Sequence, residues 1–243
     1  ALLRGEALFL DERTLQVGAE RVGADAVVIA TGTRPAAPAG ITLDGQRVLT
    51  HVDLVRQEDR PRSAAVVGAD VEGVELACLL AGMGTRVHLL EMQGEILPGQ
   101  DRDLAEPVEQ TLIRLGVRLH LRARVESAGA ETGRPAAARG AVLRLAGGEA
   151  LRVQRALVTG LRAPNLPAGL ERAGVDFRAD RIPVDAGFRT SSPRVFAIGD
   201  VNGRCGMAHA AIQQGLLLPG QLRGASPAPG ACLPSDGPGA GAA

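Results

Sequence analysis

The sequence predicts an α/β protein whose sheets are mainly parallel, and two observations support this prediction. Residues 26–30 form a continuous apolar run that Gly32 and Pro35 end, a pattern typical of a buried strand in a parallel sheet. Residues 63–91 then show the order strand, glycine turn, helix, strand. Such a βαβ unit has a right-handed parallel crossover as its common solution.

The remaining elements are shorter and are predicted from alternation, periodicity and turn residues. In chain order they are hairpin strands at 7–10 and 14–17, a strand at 64–67, a helix over about 72–83, a strand at 86–90, a helix over about 102–115, strands at 117–121, 123–127, 142–145 and 151–158, short strands within 181–200, and a helix over about 207–218. A Gly/Ala/Pro-rich stretch separates the strands at 123–127 and 142–145 and is too polar to pack. We expect it to remain flexible.

The carboxy-terminal segment has a different composition from the rest of the chain. Of the 25 residues from Pro219 to Ala243, 17 are Pro, Gly or Ala, and large apolar side chains are few. Such a segment buries too little surface to offset the entropy of ordering. We therefore predict a disordered tail over 219–243.

Composition excludes several classes of function. The 27 basic side chains balance 27 acidic ones, all the basic residues are Arg, and Tyr and Trp are absent. The absence of lysine excludes a Schiff-base lysine and a P-loop lysine. A chain with no net charge and few aromatic rings gives no reason to expect that it binds nucleic acid. Cys78, Cys205 and Cys232 are too scattered for a disulfide framework or a zinc site. No apolar run reaches membrane-span length and Ala1–Glu6 has no signal-peptide layout, so we expect a cytoplasmic protein without a membrane partner.

The strongest local signal is the turn between the strand at 64–67 and the helix that follows. In a dinucleotide-binding fold the first glycine makes the tight turn, the second lets the backbone approach the pyrophosphate, and the third lets the helix pack on the strand. Gly68 and Gly73 take the first and third places, whereas Asp70 stands at the second. The sequence therefore predicts a doubly wound, Rossmann-like domain with an altered phosphate turn.

Two interpretations of Asp70 are open. Its carboxylate could face the pyrophosphate and repel it, by about 1 kcal/mol in water and by more where water is excluded. It could instead rotate outward and cap the helix. The fold would accordingly bind a dinucleotide at this turn, or keep the turn and have lost the ligand.

Glu91 ends the second strand of the βαβ unit, 23 residues after Gly68. A carboxylate at that place can accept hydrogen bonds from both adenosine ribose hydroxyls and would repel a 2′-phosphate. Residues 92–95 contain no Arg for such a phosphate, so NAD is predicted rather than NADP. A solvated acid at a strand end is the alternative. Two interpretations of Glu75 are open. Its negative charge stabilises the helix by lying near the positive end of the helix dipole, or its side chain faces the nicotinamide.

Five motifs in order resemble one family. They are Ala30-Thr31-Gly32-Thr33-Arg34-Pro35, the βαβ unit, Gly160-Leu161-Arg162-Ala163-Pro164-Asn165, residues 190–200 ending in Ala197-Ile198-Gly199-Asp200, and Met207-Ala208-His209-Ala210-Ala211. Over residues 4–216 the chain resembles the pyridine nucleotide–disulfide oxidoreductases, and within that family the dihydrolipoyl dehydrogenases. Each motif is weak alone, and the order gives the resemblance its strength.

The resemblance implies a flavin-binding domain that an NAD-binding domain interrupts. It places a partial FAD-binding domain at 1–50, the NAD-binding domain at 51–162 and the return to the FAD-binding domain at 163–218. The residues it implies for FAD are Gly5, Thr31, Gly32, Thr33, Asp200, Gly206, Met207, Ala208 and His209. Those it implies for NAD are Gly68, Ala69, Asp70, Val71, Glu72, Gly73, Val74, Glu75, Glu91, Val125 and Gly160.

Several parts that the family carries are missing from this sequence. They are the first GxGxxG turn for the FAD pyrophosphate, the CxxxxC redox disulfide, and the dimerisation domain with its His–Glu pair. The resemblance therefore implies small dinucleotides as partners, and by family a lipoyl-carrying protein and a homodimer whose dimerisation domain is absent here. No catalytic residue and no metal ligand is predicted.

The function implied is an FAD- and NAD-dependent, dihydrolipoyl dehydrogenase-like oxidoreductase that passes hydride between nicotinamide and flavin and lacks the disulfide half-reaction. One alternative is an NADH-dependent flavoprotein reductase or a mercuric-type reductase. A second is a non-catalytic dinucleotide-binding fragment or pseudoenzyme, which Asp70 favours.

Overall fold

A computed structural model describes residues 1–131 and 140–224. Residues 225–243 of the predicted tail and 132–139 of the predicted flexible stretch lie outside the described residues. The strands are β1 (Ala7–Phe9), β2 (Thr14–Val17), β3 (Glu20–Gly23), β4 (Val27–Ile29), β5 (Thr33–Pro35), β6 (Val48–Leu49), β7 (Ser63–Val67), β8 (Arg86–Glu91), β9 (Arg118–Leu121), β10 (Val125–Ala130), β11 (Ala141–Leu145), β12 (Ala150–Val153), β13 (Arg155–Val158), β14 (Arg162–Pro164) and β15 (Val195–Ala197). The helices are α1 (His51–Leu54), α2 (Val71–Gly82), α3 (Arg102–Arg114) and α4 (Ala208–Leu222), with 3₁₀ turns at Leu170–Ala173 and Gly199–Asn202.

The chain forms two compact units. Among the described residues, the first comprises 1–34 and 162–224, and the second comprises 35–131 and 140–161. The α/β class with parallel sheets is as predicted. The second unit begins at Pro35, ahead of the predicted boundary at residues 50 and 51, because β6 pairs in parallel with β13 of the second unit.

The second unit is built on a five-stranded parallel sheet in the order β6-β13-β7-β8-β9. Alternate residues of a strand point to opposite faces, so the sheet has two cores. On one face, Val66 and Leu89 pack against Val74, Ala77 and Leu80 of α2. On the other face, the antiparallel sheet β10-β11-β12 covers the sheet through the buried side chains Ala65, Leu90, Ala141, Leu143 and Ala156.

The single strand predicted at 151–158 is wrong, because the segment forms two strands in different sheets. β12 pairs antiparallel with β11, whereas β13 pairs in parallel with β7. The break falls at Gln154, whose N–H donates to the Ser63 carbonyl at 3.1 Å and whose Oε1 accepts from Arg62 N–H at 2.7 Å. The strand pattern alone did not reveal this change of sheet.

The first unit contains the antiparallel sheet β1-β2-β3 and the parallel pair β4-β15. The predicted hairpin is confirmed, and β3 was missed because Glu20 and Arg21 leave it without an apolar face. A core that includes Phe9, Ile29 and Ile182 lies inside this unit.

Helix α4 extends to Leu222, beyond the predicted end at 218 and into the segment predicted as a disordered tail. Pro219 lies inside the helix and does not end it. The helix is retained because buried Leu218 packs with Phe188 and Phe196 on one side of it.

Two histidines lie side by side on the sheet of the second unit. Nδ1 of His88 in β8 is 2.9 Å from Nε2 of His120 in β9. Burial, and then the nearby His120, Arg118 and Arg86, lower the pKa of His88 below its ordinary value of 6.5. The folded chain therefore takes up this proton less readily than the unfolded chain does.

We expect this histidine to make stability pH-dependent. Its contribution is fully present above the unfolded pKa and is lost as the pH falls below about 6.5 towards the folded pKa. Urea denaturation across this range should show a larger loss of stability for the wild type than for His88→Gln. His209→Gln, at an exposed position in α4, is the control and should follow the wild type. Parallel curves for the wild type and His88→Gln would contradict the expectation.

Candidate dinucleotide-binding site

The turn after β7 has the shape of a phosphate-binding turn. Gly68 has a φ of 102°, a conformation that favours glycine, and its N–H donates to the Leu90 carbonyl at 2.9 Å. A Cβ at this position would lie 2.7 Å from Oγ1 of Thr159. A side chain at position 68 would therefore meet both strain and a clash.

Gly73 lies in the first turn of α2, where the helix approaches the end of β7. A Cβ on Gly73 would lie 1.9 Å from the carbonyl oxygen of Gly68 and 3.0 Å from Oγ1 of Thr159. The helix could not approach the strand so closely with any larger residue there. This is the packing for which the third glycine of a dinucleotide turn is needed.

Asp70 is the N-cap of α2. Its Oδ1 accepts from Gly73 N–H at 3.0 Å, and its Oδ2 lies 2.9 Å from the place a Cβ would take on Gly160. Asp70 therefore caps the helix, and in doing so its carboxylate stays at the helix N-terminus and does not rotate away from it. The N–H groups of Val71 and Glu72 belong to the first turn, whose amides have no intrahelical acceptor, so they are the donors left to an anion.

Glu91, at the end of β8, forms hydrogen bonds that hold the same turn. Its side chain is buried, with the residue 6% exposed, and its two carboxylate oxygens accept from Ala69 N–H and Gln93 N–H, each at 2.8 Å. The alternative of a solvated strand-end acid is wrong. Each carboxylate oxygen retains a lone pair that a ribose hydroxyl could use.

Thr159 is a site residue that the sequence analysis missed. It is buried, and its hydroxyl donates to the Val67 carbonyl at 3.0 Å, which joins the ends of β13 and β7 beneath the turn. The neighbouring Gly160 has a φ of 82° and lies against Asp70. The signal available in the sequence was the Thr-Gly pair at the end of a strand.

The segment that follows β8 was also missed. Leu97 has a left-handed φ of 49°, and its N–H donates to the Ala69 carbonyl at 2.7 Å. Ile96 next to it is fully buried. This segment therefore contacts the turn through a backbone hydrogen bond, in addition to the contacts that Thr159 and Gly160 make with it.

The other residues predicted for the dinucleotide divide into buried and exposed positions. Val74 is in the core, and Val125, the first residue of β10, packs against the core, whereas Val71 and Glu75 are exposed. The carboxylate of Glu72 lies 2.5 Å from Nδ1 of His51, a contact that the sequence did not indicate.

In the first unit, the structure brings together residues that the resemblance implied for FAD. Oγ1 of Thr33 donates to Oδ2 of Asp200 at 3.3 Å. Thr31 and Asn165 are joined by two hydrogen bonds, from Oγ1 of Thr31 to the Asn165 carbonyl at 2.6 Å and from Nδ2 of Asn165 to the Thr31 carbonyl at 3.0 Å. Gly32 accepts from the N–H of Asn165. The Thr31–Thr33 turn is thus fixed next to Asp200.

Gln214 of α4 positions Asp200 and was not predicted. It is buried, and its Oε1 accepts from Gly199 N–H and from Nδ2 of Asn202, each at 2.8 Å. Residues 206–209 lie exposed at the start of α4, with Met207 as N-cap. Gly5 lies against Val17 of β2, and no hydrogen bond joins it to Thr31–Thr33 or Asp200 in the described residues.

Other kinds of site were sought in residues 1–131 and 140–224. No group of three or more His, Cys, Asp or Glu side chains in these ranges could hold a metal ion. No helix there is long and apolar enough to cross a membrane. Cys78 and Cys205 are free, and burial raises the pKa of the Cys78 thiol, which makes it a poorer nucleophile. Cys232 lies outside the described residues.

Comparison with known proteins identifies the class. The profile of the family described as pyridine nucleotide-disulphide oxidoreductase matches residues 1–215. The chain therefore belongs to the pyridine nucleotide–disulfide oxidoreductases, which confirms the resemblance drawn from its motifs.

Individual relatives come from several branches of this family. The chain is 31% identical to dihydrolipoyl dehydrogenase of Bacillus subtilis (strain 168) over 230 residues, 92% of this chain and 49% of the relative. It is 31% identical to a soluble pyridine nucleotide transhydrogenase of Mycobacterium tuberculosis (strain ATCC 25177 / H37Ra) over 224 residues, 89% of this chain and 47% of the relative. The chain thus spans about half the length of the curated relatives it matches.

Solved structures show the same fold. The chain resembles LpdA from Mycobacterium tuberculosis with a TM-score of 0.81 at 29% identity, over 93% of this chain and 50% of that one. It resembles the HOCl-induced flavoprotein disulfide reductase RclA from Escherichia coli with a TM-score of 0.81 at 24% identity, over 92% of this chain and 51% of that one. The second likeness shows the fold alone.

Proposed function

We propose that this chain carries the NAD-binding region and part of the FAD-binding region of a dihydrolipoyl dehydrogenase-like oxidoreductase. FAD and NAD, when bound, supply the hydride transfer between nicotinamide and flavin. The observation that carries the proposal is the turn from Gly68 to Gly73, with Glu91 buried against it. The disulfide half-reaction and a lipoyl substrate have no counterpart among the residues of this sequence.

The residues of the turn fit a dinucleotide in shape. Gly68 and Gly73 leave the backbone without side chains at its tightest points. The first-turn N–H groups of Val71 and Glu72 would bind phosphate oxygens at the positive end of α2. The free lone pairs of Glu91 would accept hydrogen bonds from the ribose. The residues here bind and orient the dinucleotide.

The first unit supports the flavin part of the proposal. Asp200, held by Thr33 and by the Gln214-bonded turn, would accept a hydrogen bond from the ribityl chain. The start of α4 at Gly206–His209 would place a positive helix end at the pyrimidine edge, where it favours negative charge.

A second candidate function is a dinucleotide-binding protein without catalysis. The observation that favours it is the carboxylate of Asp70, which already accepts from the N–H of Gly73. A phosphate at this helix end would meet that negative charge.

Both functions require that the chain binds a dinucleotide, and fluorescence titration with NADH tests this binding. Saturable binding supports them, and no binding by the wild type or by Asp70→Gly would contradict both.

The proposed function also leads to a prediction about flavin, because we expect the isolated chain to bind FAD weakly. The turn at 68–73 serves the other dinucleotide, and this sequence has no comparable GxGxxG turn for the FAD pyrophosphate. FAD added to the purified chain should therefore separate from it on gel filtration, as measured by visible absorbance of the protein peak. A stoichiometric yellow peak would contradict this expectation and would show that the chain has an FAD site which does not need that turn.

A further inference from the structure

Arg122 is fixed beside the segment that follows Glu91. Its N–H donates to the Gln93 carbonyl at 2.7 Å, and the next residue, Ala123, donates to the Glu91 carbonyl at 2.8 Å. Arg122 adopts a left-handed φ of 56°. This conformation is strained for a residue with a Cβ, and such strain concentrates at functional sites.

The guanidinium of Arg122 reaches the loop at the end of β8. A Cβ built on Gly94 would lie 3.4 Å from Nε and 3.5 Å from Nη2 of Arg122. Arg122 is exposed, and no ion pair is found for it within residues 1–131 and 140–224. Arg122 therefore supplies a positive charge at this loop, whereas residues 92–95 contain no basic side chain.

This loop is where dinucleotide-binding domains distinguish the two pyridine nucleotides. An acid at the strand end favours the free ribose hydroxyls, whereas an Arg nearby accommodates a 2′-phosphate. In this chain the acid, Glu91, is buried, and the N–H groups of Ala69 and Gln93 that donate to its two oxygens offset the negative charge with which it would repel a 2′-phosphate. Arg122 faces solvent beside it, with a planar fork of donors that matches phosphate oxygens.

We propose that Arg122 binds the 2′-phosphate of NADP(H) and that the site in the second unit therefore prefers NADP(H) to NAD(H). The inference rests on the proposed function, because it requires a dinucleotide at the Gly68–Gly73 turn. It reverses the preference predicted from the sequence, which rested on Glu91 and on the absence of Arg from residues 92–95. Arg122 is 31 residues away from Glu91 along the chain, so only the pairing of β9 with β8 brings it to this loop.

The test compares ligands that differ by one phosphate. NADPH and NADH are titrated into the whole chain and followed by nicotinamide fluorescence, and 2′,5′-ADP and AMP are compared by calorimetry. We expect the ligand with the 2′-phosphate to bind about tenfold tighter or more, and Arg122→Gln to remove this difference while NADH affinity stays unchanged. Arg122→Lys, which keeps the charge and loses the fork, should retain part of the preference.

The control is Arg124→Gln, because Arg124 is also exposed and lies two residues further on. This variant should keep the full preference, and its loss in Arg124→Gln alone would contradict the assignment to Arg122. If NADH binds and the 2′-phosphate adds nothing in the wild type, this inference fails and the proposed function stands. If none of the four ligands binds, the proposed function fails with it. Circular dichroism checks that each variant is folded.

Discussion

Asp70→Gly should tighten NADH binding by about a factor of ten or more, or roughly 1.4 kcal/mol. The carboxylate of Asp70 caps α2 and accepts from the N–H of Gly73, so it places a negative charge at the helix end where the pyrophosphate would lie. Glycine removes the charge and the side chain together. Fluorescence titration with NADH measures the change.

Asp70→Asn separates charge from shape. Asparagine caps helices about as well as aspartate does, and glycine is a weaker cap by only a few tenths of a kcal/mol, so neither variant should lose much stability. If charge is the obstacle, Asp70→Asn should gain much of the affinity that Asp70→Gly gains. Equal NADH affinity in the wild type and both variants would show that the carboxylate does not face the phosphates.

Gly73→Ala should destabilise the second unit by about 1–3 kcal/mol or more and weaken NADH binding strongly. The new Cβ would lie 1.9 Å from the Gly68 carbonyl, which is backbone and cannot move aside as a flexible side chain could. The helix would have to withdraw from β7, and the turn between them would open. Urea denaturation and NADH titration measure the two effects.

The matched control is Gly82→Ala in the same helix. No atom lies within 4 Å of a Cβ built there, so alanine meets open space. Because alanine favours a helix over glycine by roughly 0.5–1 kcal/mol, this variant should be as stable as the wild type or more so. A Gly73→Ala protein with wild-type stability would show that α2 does not require this close approach.

The parts of the site that were predicted from sequence are those that depend on local pattern. Gly68, Gly73 and Glu91 were identified because a buried strand, a glycine turn and a helix follow one another within one βαβ unit. Their spacing is set by chain geometry, so the sequence displays it directly. The parallel arrangement of β4 was expected for a similar reason, since an unbroken apolar strand is typical of a buried parallel sheet, although β15 was not predicted to be its partner.

The parts that were missed depend on contacts between distant residues. Thr159 and Gln214 are polar residues whose hydrogen-bond partners lie elsewhere in the chain, and apart from the Thr-Gly pair at the end of β13 no local pattern distinguishes them from surface residues. The strand break at Gln154 was hidden because β12 and β13 continue one pattern in two sheets. The orientation of Glu91 toward Ala69 also required the fold, because a strand-end acid can point either way.

A single residue, Gln154, separates β12 from β13 and so links the two sheets of the second unit. The backbone passes from the antiparallel layer into the parallel sheet between β6 and β7 and continues to Thr159, under the glycine turn. The two layers are therefore joined covalently through Gln154. The turn is thus connected to both sheets, and we expect it to keep its conformation as long as the second unit stays folded.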